Sequence, residues 1–568
     1  MKEENVNEIE NNSNEVVDSS TPVGVGVNDT FDDDSDIIEE PKKKKTGLIV
    51  CLLLIIILVL GYVFVYPILN KSGKPTSTKT SQENKTVYSE YRITGNSLEN
   101  FDLYFLKLEN EEKNKVYSPL SIKYALEMLG EGAKENSKKQ IDDIIGEYKA
   151  KKYPNNDHMS FANAMFIRNS FKDSVSSDYT AVLSDKYNAE VIYDEFTSPD
   201  NINNWVSNKT FNLINNLIDD ASSNDFFLIN ALAIDMNWNN QIHCTIGHKI
   251  PCLNDRSYHI QYSHEKLDDD STMSYGVTEY PYDSDEQFYG DSFRKHEFNG
   301  KEGIKGGDVL ADFNKYDIIK DLGEDKIKEI IKPEYEEWLK TDYGKDDKPF
   351  DEFIDGFIDE LKENYGKAAN STDFLLYEDD NVKEFAKDLQ TYDDTTLQYI
   401  GIMPKNEKLV DFISNANKDS LNKIINGLKE VKIDNFEEGY VTRIRGYIPF
   451  FKFDYELKLK EDLKALGIED IFDAEKADLS NMTGSKGAFI DRAIHKADIE
   501  FSNDGIKAAA ATVIAGFGAA SGPVFEHLFK VPVKDIDISF NKPYMYIIRD
   551  KVTGEVWFAG TVYEPIQK

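Results

Sequence analysis

Residues Val116–Ile141 read VYSPLSIKYALEMLGEGAKENSKKQI, and this stretch carries the clearest fold signals in the chain. The pair Val116-Tyr117 predicts a short strand. Ser118-Pro119 predicts the start of a helix, because a serine hydroxyl caps the first free N–H groups and proline is tolerated in the first turn. Leu126 and Leu129 continue the apolar face of that helix. The stretch therefore predicts a strand followed at once by a capped helix that faces the core.

The composition restricts the class of protein. The chain has 568 residues, a length that fits roughly two to four domains or one large domain with extensions. Its hydrophobic content of 40%, with 12% aromatic residues, is enough to bury a sizeable core. The formal net charge of −37 argues against nucleic-acid binding, which needs a basic face. Three cysteines, at positions 51, 244 and 252, are too few for a disulfide framework.

The N-terminal part contains one candidate membrane segment. Four lysines, Lys42–Lys45, precede Gly47–Leu69, which is 23 residues long and uncharged. That length spans a bilayer as a helix, and the lysines favour the cytoplasm on their side. We therefore expect a disordered acidic cytoplasmic tail (1–46), a transmembrane helix (47–69) and a flexible stalk (70–90), with the remainder outside the cell. The alternative is a cleaved signal peptide, whose apolar region would be shorter.

Five further segments follow the opening stretch along the chain and matter for the fold as an ordered set. Together with Val116–Ile141 they make six ordered blocks that resemble the serpin family of serine protease inhibitors. No single block would be specific, but the ordered set covers residues 96–566. The five segments are INNWVSNKT (Ile202–Thr210), NALAIDMNW (Asn230–Trp238), IPFFKFDYELKLKEDLKALGIEDIFDAEKADLS (Ile448–Ser480), IHKADIEF (Ile494–Phe501) and FNKPYMYIIRDKVTGEVWFAGTVYEP (Phe540–Pro565).

The resemblance implies an α+β fold for residues 91–568, with three β-sheets, about nine helices and an exposed reactive loop. The chain departs from the family between Trp238 and about Ser371, where it is well over a hundred residues long. We interpret residues 240–370 as an acidic insertion. Within it, apolar side chains recur at helical spacing on one face, so we expect the insertion to be mainly helical. They are Phe350, Phe353, Ile354, Phe357, Ile358 and Leu361.

The segment Gly505–Thr512 resembles the serpin hinge, the first part of the reactive loop. The resemblance implies a bait that a protease cleaves, forming an acyl-enzyme, after which the cut loop inserts as a strand into the central sheet. Side chains alternate faces in a strand, so every second loop residue must then be buried. The hinge residues are Gly505, Ile506, Ala508, Ala509, Ala510, Ala511 and Thr512.

The charge pattern of the loop fits this insertion. One alternating row contains no charge, whereas Lys507 falls in the other row, which faces outward. A buried unpaired charge would cost several kcal/mol and would stall insertion. The alternative, a buried Ala/Gly-rich helix, is disfavoured by interrupting valine, isoleucine and glycine residues. The uncharged row is Ile506, Ala508, Ala510, Thr512, Ile514, Gly516 and Gly518.

The bond that the protease cuts is predicted by counting. The family's usual spacing from Gly505 places it between Ala519 and Ala520, which suits elastase-like or subtilisin-like proteases with small pockets. Counting back from the C-terminal block gives Leu528 instead, because this loop is about nine residues longer than usual. Phe517 is a further candidate. We adopt the forward count, because insertion constrains the length on that side.

The resemblance also implies a hydrogen-bonded cluster that controls sheet opening. Its members would be Ser118, Ser121, Asn230 and His495, with Trp238 at the point where the loop enters the sheet. Position 503 departs from the family: it is asparagine where glutamate is usual, which puts an ion pair there in doubt.

The cysteines of the insertion leave three possibilities open. Cys244 and Cys252 could form a disulfide in an oxidising exterior, or join His243 and His248 in a metal site of non-standard spacing, or do neither. We expect no metal and no cofactor to take part in the activity.

The expected function is that of a suicide-substrate inhibitor rather than an enzyme. Its targets would be extracellular serine proteases, with papain-like cysteine proteases as a second class, and the chain would act as a membrane-anchored monomer. The alternative is a non-inhibitory cell-surface module of the same fold that binds partners through its insertion.

Overall fold

The computed structural model describes residues 89–239, 263–264, 272–275, 295–342, 344–368, 373–506 and 528–565. Contacts divide the chain into residues 1–76 and 77–568, and every element below belongs to the second unit. The expected tail, membrane helix and most of the stalk lie outside the described residues. In the part of the chain that is described, no helix is both long and apolar enough to cross a bilayer.

Helices are numbered in chain order over the described residues. They are α1 (Asn100–Leu108), α2 (Pro119–Gly132), α3 (Glu135–Ile145), α4 (Ser177–Tyr187), α5 (Asp200–Lys209), α6 (Ile318–Leu322), α7 (Glu324–Trp338), α8 (Phe350–Asn364), α9 (Leu409–Asn415), α10 (Lys418–Ile425), α11 (Leu459–Ala465) and α12 (Ser480–Thr483). Nine of these twelve lie outside residues 240–370.

Strands are numbered in the same way. They are β1 (Lys115–Tyr117), β2 (Met159–Arg168), β3 (Ala189–Asp194), β4 (Phe226–Ile234), β5 (Met236–Asn237), β6 (Ser263–His264), β7 (Thr272–Tyr275), β8 (Lys295–Phe298), β9 (Lys301–Asn314), β10 (Lys367–Ala368), β11 (Phe374–Glu378), β12 (Val382–Asp388), β13 (Leu397–Pro404), β14 (Lys429–Glu430), β15 (Val441–Pro449), β16 (Phe451–Leu457), β17 (His495–Phe501), β18 (Gly505–Ile506), β19 (Phe529–Asp537), β20 (Tyr544–Asp550) and β21 (Val556–Val562).

The opening stretch of the sequence folds as its pattern predicts. Lys115–Tyr117 forms β1, and α2 follows with Pro119 at its first position. The Ser118 hydroxyl caps the helix by accepting the backbone N–H of Ser121 at 3.0 Å. Leu126 and Leu129 are both buried in the main core. A strand and a capped helix therefore come from adjacent residues whose side chains point to one core.

Two of the sheets have seven strands each. One has the order β1-β21-β20-β13-β12-β11-β14, and its central strands are buried on both faces. The other has the order β10-β9-β15-β19-β7-β6, with β8 added on β9. In the second sheet β15 and β19 run parallel, from Val441 opposite Val533 to Arg445 opposite Asp537.

The remaining strands form two smaller sheets, which together we call the split sheet. Its halves have the orders β3-β2-β4 and β16-β17-β18-β5. The chain passes from one half to the other directly, because only Asp235 separates β4 from β5. The described strands thus form four hydrogen-bonded sheets rather than the three that the resemblance implies, because β4 and β17 do not pair with each other. The split sheet is where the candidate site lies.

The segment 240–370 is partly strand and partly helix. β9 pairs with β8 and with β15 of the body, so the described residues 295–314 are mainly strand rather than helix. The helices α6–α8 occupy the second half and build a core of their own, which includes Ile327, Ile331 and Ile358. On α8, apolar side chains at the predicted spacing face this core.

Candidate functional site

The split sheet leaves a gap between β4 and β17. A cavity of about 400 Å³ opens there, lined by residues of both strands and by the start of α2. Within the described residues, β4 pairs only with β2, and β17 pairs with β16 along its whole length but with β18 at one residue only. The edges of β4 and β17 therefore face each other across this cavity.

The upper end of this gap is already filled by the hinge. Gly505 and Ile506 form β18, which lies between β5 and β17: Ile506 is opposite Met236 on one side and Phe501 on the other. The Ile506 side chain is buried, with 2% of its surface exposed. A Cβ added at Gly505 would lie 2.1 Å from the carbonyl oxygen of Met236, so only glycine permits this close approach.

The chain reaches β18 through a tight turn beside Trp238. The Trp238 indole N–H donates to the carbonyl oxygen of Ser502 at 3.0 Å, and its backbone N–H donates to that of Asp504 at 2.9 Å. The buried indole also packs edge-to-face on Phe501, with ring centroids 5.3 Å apart. Asn503, the position that departs from the serpin pattern, bonds its neighbour Asp504 through its side-chain amide. The point where the loop enters the sheet is thus held by hydrogen bonds from the indole and backbone N–H groups of Trp238 to two backbone carbonyls.

His495 lies at the lower end of the gap. The backbone N–H of Ser118 donates to its Nε2 at 2.9 Å, so Nε2 is the unprotonated ring nitrogen. Burial lowers the pKa of His495 to about 4, because an imidazolium would lose its hydration. The neutral ring therefore connects β17 to the cap of α2 at physiological pH.

Asn230 lies across the gap on β4 and belongs to a second chain of hydrogen bonds. The Ser121 hydroxyl donates to its side-chain oxygen. Its amide donates at 2.7 Å to the side-chain oxygen of Asn163 on β2, and Asn163 donates at 2.9 Å to the carbonyl oxygen of Tyr187. The structure brings all four predicted cluster residues to the cavity. Sequence reasoning missed Asn163, although a lone asparagine within an apolar strand was the available signal.

The far end of the loop is anchored against the helices of residues 318–364. Leu528 packs against their core, and Phe529 and Val531 of β19 are buried in it. These residues precede Val533, where β19 begins to pair with β15. The first part of β19 is therefore held by the core of α6–α8 and by pairing with β7.

Comparison with protein-family models gives one match. The model described as "Serpin (serine protease inhibitor)" matches residues 100–249 and 355–565, which is more than half of the chain. The chain belongs to the serpin family. The matched residues include all the strands around the gap and leave residues 250–354 unmatched.

Relatives of this serpin fall into two groups by coverage. Human serpin B3 is 35% identical over 22% of this chain and 29% of its own length, and rat leukocyte elastase inhibitor A is 35% identical over 21% and 28%. The chain thus spans less than a third of the length of these relatives. Mouse neuroserpin is 24% identical over 81% of this chain and 88% of its own length.

Solved serpin structures share the fold. Native tengpin, a thermophilic serpin, has a TM-score of 0.51 at 19% identity, covering 87% of this chain and 96% of its own. Human thyroxine-binding globulin has a TM-score of 0.50 at 15% identity, covering 85% and 99%. These likenesses confirm the predicted α+β serpin fold.

Several predicted residues of this serpin lie outside the described part of the chain. They are the hinge residues Ala508, Ala509, Ala510, Ala511 and Thr512, the candidate cut positions Ala519, Ala520 and Phe517, and the set His243, Cys244, His248 and Cys252. Their roles stay predictions.

Proposed function

We propose that this serpin is a suicide-substrate inhibitor of extracellular serine proteases. The observation that carries the proposal is β18: two hinge residues occupy the top of a slot whose remaining length is a cavity of about 400 Å³. Cleavage of the loop would free its N-terminal part to continue downwards as a full strand. The protease, still attached as an acyl-enzyme, would be carried with it.

The pairing of β18 predicts the register of the inserted strand. Continuing from Phe501 opposite Ile506 and Met236 opposite Ile506, Thr512 would lie between His495 and Asn230. Ile506 points inward, so the inward row would be the uncharged one, with Ala508, Ala510 and Thr512 following. The charge pattern and the slot therefore support the same register.

The same register supports a cut at Ala519-Ala520. Gly516 would lie opposite Phe226, the first residue of β4, so a strand that fills the slot ends before Ala519. Leu528 is partly buried against the core of α6–α8, a poor position for a peptide that must lie extended in a protease cleft. A small residue before the cut favours elastase-like and subtilisin-like targets.

Incubation of the full chain with an elastase-like and a subtilisin-like protease tests this proposal. We expect an SDS-stable complex with at least one of them, and a released C-terminal peptide whose mass corresponds to a start at Ala520. Clean cleavage without a covalent complex, and without a gain in thermal stability, would refute inhibition. That outcome would favour the non-inhibitory alternative, in which the insertion binds partners.

We also propose that a single N-terminal helix anchors this serpin in the cell membrane, with the serpin domain outside. The support is the sequence: Lys42–Lys45 precede the 23 uncharged residues Gly47–Leu69. Protease added to intact cells should digest an epitope tag at the C-terminus and spare one at the N-terminus. Loss of the N-terminal tag from the mature protein would instead indicate a cleaved signal peptide.

A further inference from the structure

The turn that leads into β18 is closed by a side chain rather than by the usual backbone pair. Asn503 and Asp504 are the two residues of a hairpin loop flanked by Ser502 and Gly505. The backbone N–H of Ser502 donates to the Gly505 carbonyl at 3.0 Å, which is one of the two bonds that such a loop ordinarily has.

The second bond is replaced by the Ser502 hydroxyl. Its Oγ accepts the backbone N–H of Gly505 at 3.4 Å and that of Asp504 at 3.3 Å, and it donates to the Gly505 carbonyl at 3.2 Å. The carbonyl oxygen that would ordinarily accept from Gly505 is thereby left for the indole N–H of Trp238, 3.0 Å away. The Ser502 side chain therefore closes the turn, while the Ser502 backbone carbonyl accepts the hydrogen bond from the Trp238 indole.

This arrangement fixes the register of the loop at its first inserted pair. A strand that slips by one residue presents its other face, because side chains alternate. A slip by one residue would bring the charged Lys507 to the position that Ile506 now holds, beside Ile234 and Ile499. Burial of an unpaired ammonium is strongly unfavourable. Insertion in the productive register thus depends on the turn that precedes it.

We propose that Ser502 is the positioning residue of the reactive loop: its hydroxyl closes the hinge turn and holds Gly505 and Ile506 in their register between β5 and β17. Ser502 directly precedes Asn503, the position at which the serpin family usually has a glutamate. The consequence for inhibition rests on the proposed function, whereas the consequence for the hinge does not.

The test uses the full chain carrying Ser502→Ala, with Ser502→Thr as rescue because threonine retains the hydroxyl. Asn503→Ala is the matched control, since that side chain lies in the same turn but, among the described residues, bonds only Asp504. Hydrogen exchange of peptides covering residues 499–506 is measured before any protease is added. We expect Ser502→Ala to raise amide exchange at Gly505 and Ile506 at least tenfold, and both other variants to stay within about threefold of the wild type.

Two further readouts separate a positioning role from a general loss of stability. Tryptophan emission should shift in Ser502→Ala. Without the hydroxyl, the carbonyl of residue 502 accepts the Gly505 N–H and loses its hydrogen bond from the Trp238 indole. The emission should not shift in Asn503→Ala. With a protease that the wild type traps, the ratio of SDS-stable complex to cleaved chain should fall at least fivefold in Ser502→Ala and recover in Ser502→Thr.

Unchanged exchange at Ile506 in Ser502→Ala, or equal effects of Ser502→Ala and Asn503→Ala, would overturn the role of Ser502. Absence of covalent complexes even for the wild type would instead refute the proposed inhibition. In that case the exchange and emission measurements still decide whether Ser502 sets the hinge.

Discussion

A single methyl group at position 510 stands where the loop would meet the core of the sheet. Because Ile506 is buried opposite Phe501, a strand that continues in this register would have Ala510 in its inward row and Ala509 in its outward row. We expect Ala510→Glu to bury an unpaired carboxylate at a cost of about 3 kcal/mol, slowing insertion by roughly a hundredfold. The variant should be cleaved as a plain substrate, which SDS gels resolve from covalent complex.

Ala509→Glu is the matched control for that experiment. The same charge placed on the outward row should remain in water, so complex formation should stay close to that of the wild type. Equal inhibition by Ala510→Glu and Ala509→Glu would show that the loop does not insert in the register of β18.

His495 gives the domain a dependence of stability on pH. Its pKa of about 4 in the folded chain lies below the ordinary value, so the unfolded chain takes up a proton first as the pH falls. Stability from this residue is therefore intact above about pH 6.5 and declines towards pH 4. Between pH 7.5 and pH 5 we expect a loss of about 2 kcal/mol in the free energy of unfolding.

His495→Gln isolates this contribution from that of the acidic residues. A glutamine oxygen can accept the Ser118 N–H but does not titrate, so this variant should lose less stability than the wild type over the same pH range. Denaturant unfolding at the two pH values measures the difference. Parallel losses in the two proteins would contradict the assigned proton state of His495.

At the scale of elements, the sequence predicts those that neighbouring residues determine. It does not predict those that depend on pairing with distant strands. The strand and capped helix of Val116–Ile141 were predictable because cap, proline and apolar spacing lie in one stretch. The nature of β8 and β9 was not, because a strand's partner, here β15, lies more than a hundred residues away. Asn163 was missed for the same reason, since its hydrogen-bonding partners come from β4 and α4.

The helices α6–α8 and the start of β19 stabilise one another. Phe529 has 1% of its surface exposed and belongs to the core of these helices rather than to the main core. Phe529→Ala should cost about 3–5 kcal/mol, and the loss should fall mainly on α7, α8 and β19. Hydrogen exchange should rise in those elements and stay low in β17 and β20.

Phe489→Ala is the control, because it makes the same substitution at a phenylalanine with 36% of its surface exposed. It should leave exchange in α7 and α8 unchanged. If Phe529→Ala raised exchange uniformly over the whole domain, the helices would be an inseparable part of the main core.

At the scale of the whole molecule, packing differs between the sheets of the described residues. The central strands β13 and β21 of the first seven-stranded sheet are buried on both faces, whereas the split sheet leaves two unpaired edges beside a cavity. Unpaired strand edges and unfilled volume both raise the free energy of the folded state. On the proposed function, the reactive loop supplies a strand for that slot once cleavage separates its N-terminal part from β19.

Cleavage of the loop should therefore make the protein more stable, although a peptide bond is lost. Filling about 400 Å³ at roughly 24 cal/mol per Å³ gives an upper bound of about 10 kcal/mol. For a domain of this size that corresponds to a rise of about 10 °C in Tm. Thermal unfolding before and after nicking with a catalytic amount of protease measures the change. Ala510→Glu, nicked at the same bond, should gain much less, because its strand cannot enter the slot. A nicked wild type that melts at or below the temperature of the intact chain would mean that the cavity between β4 and β17 is not filled by the loop.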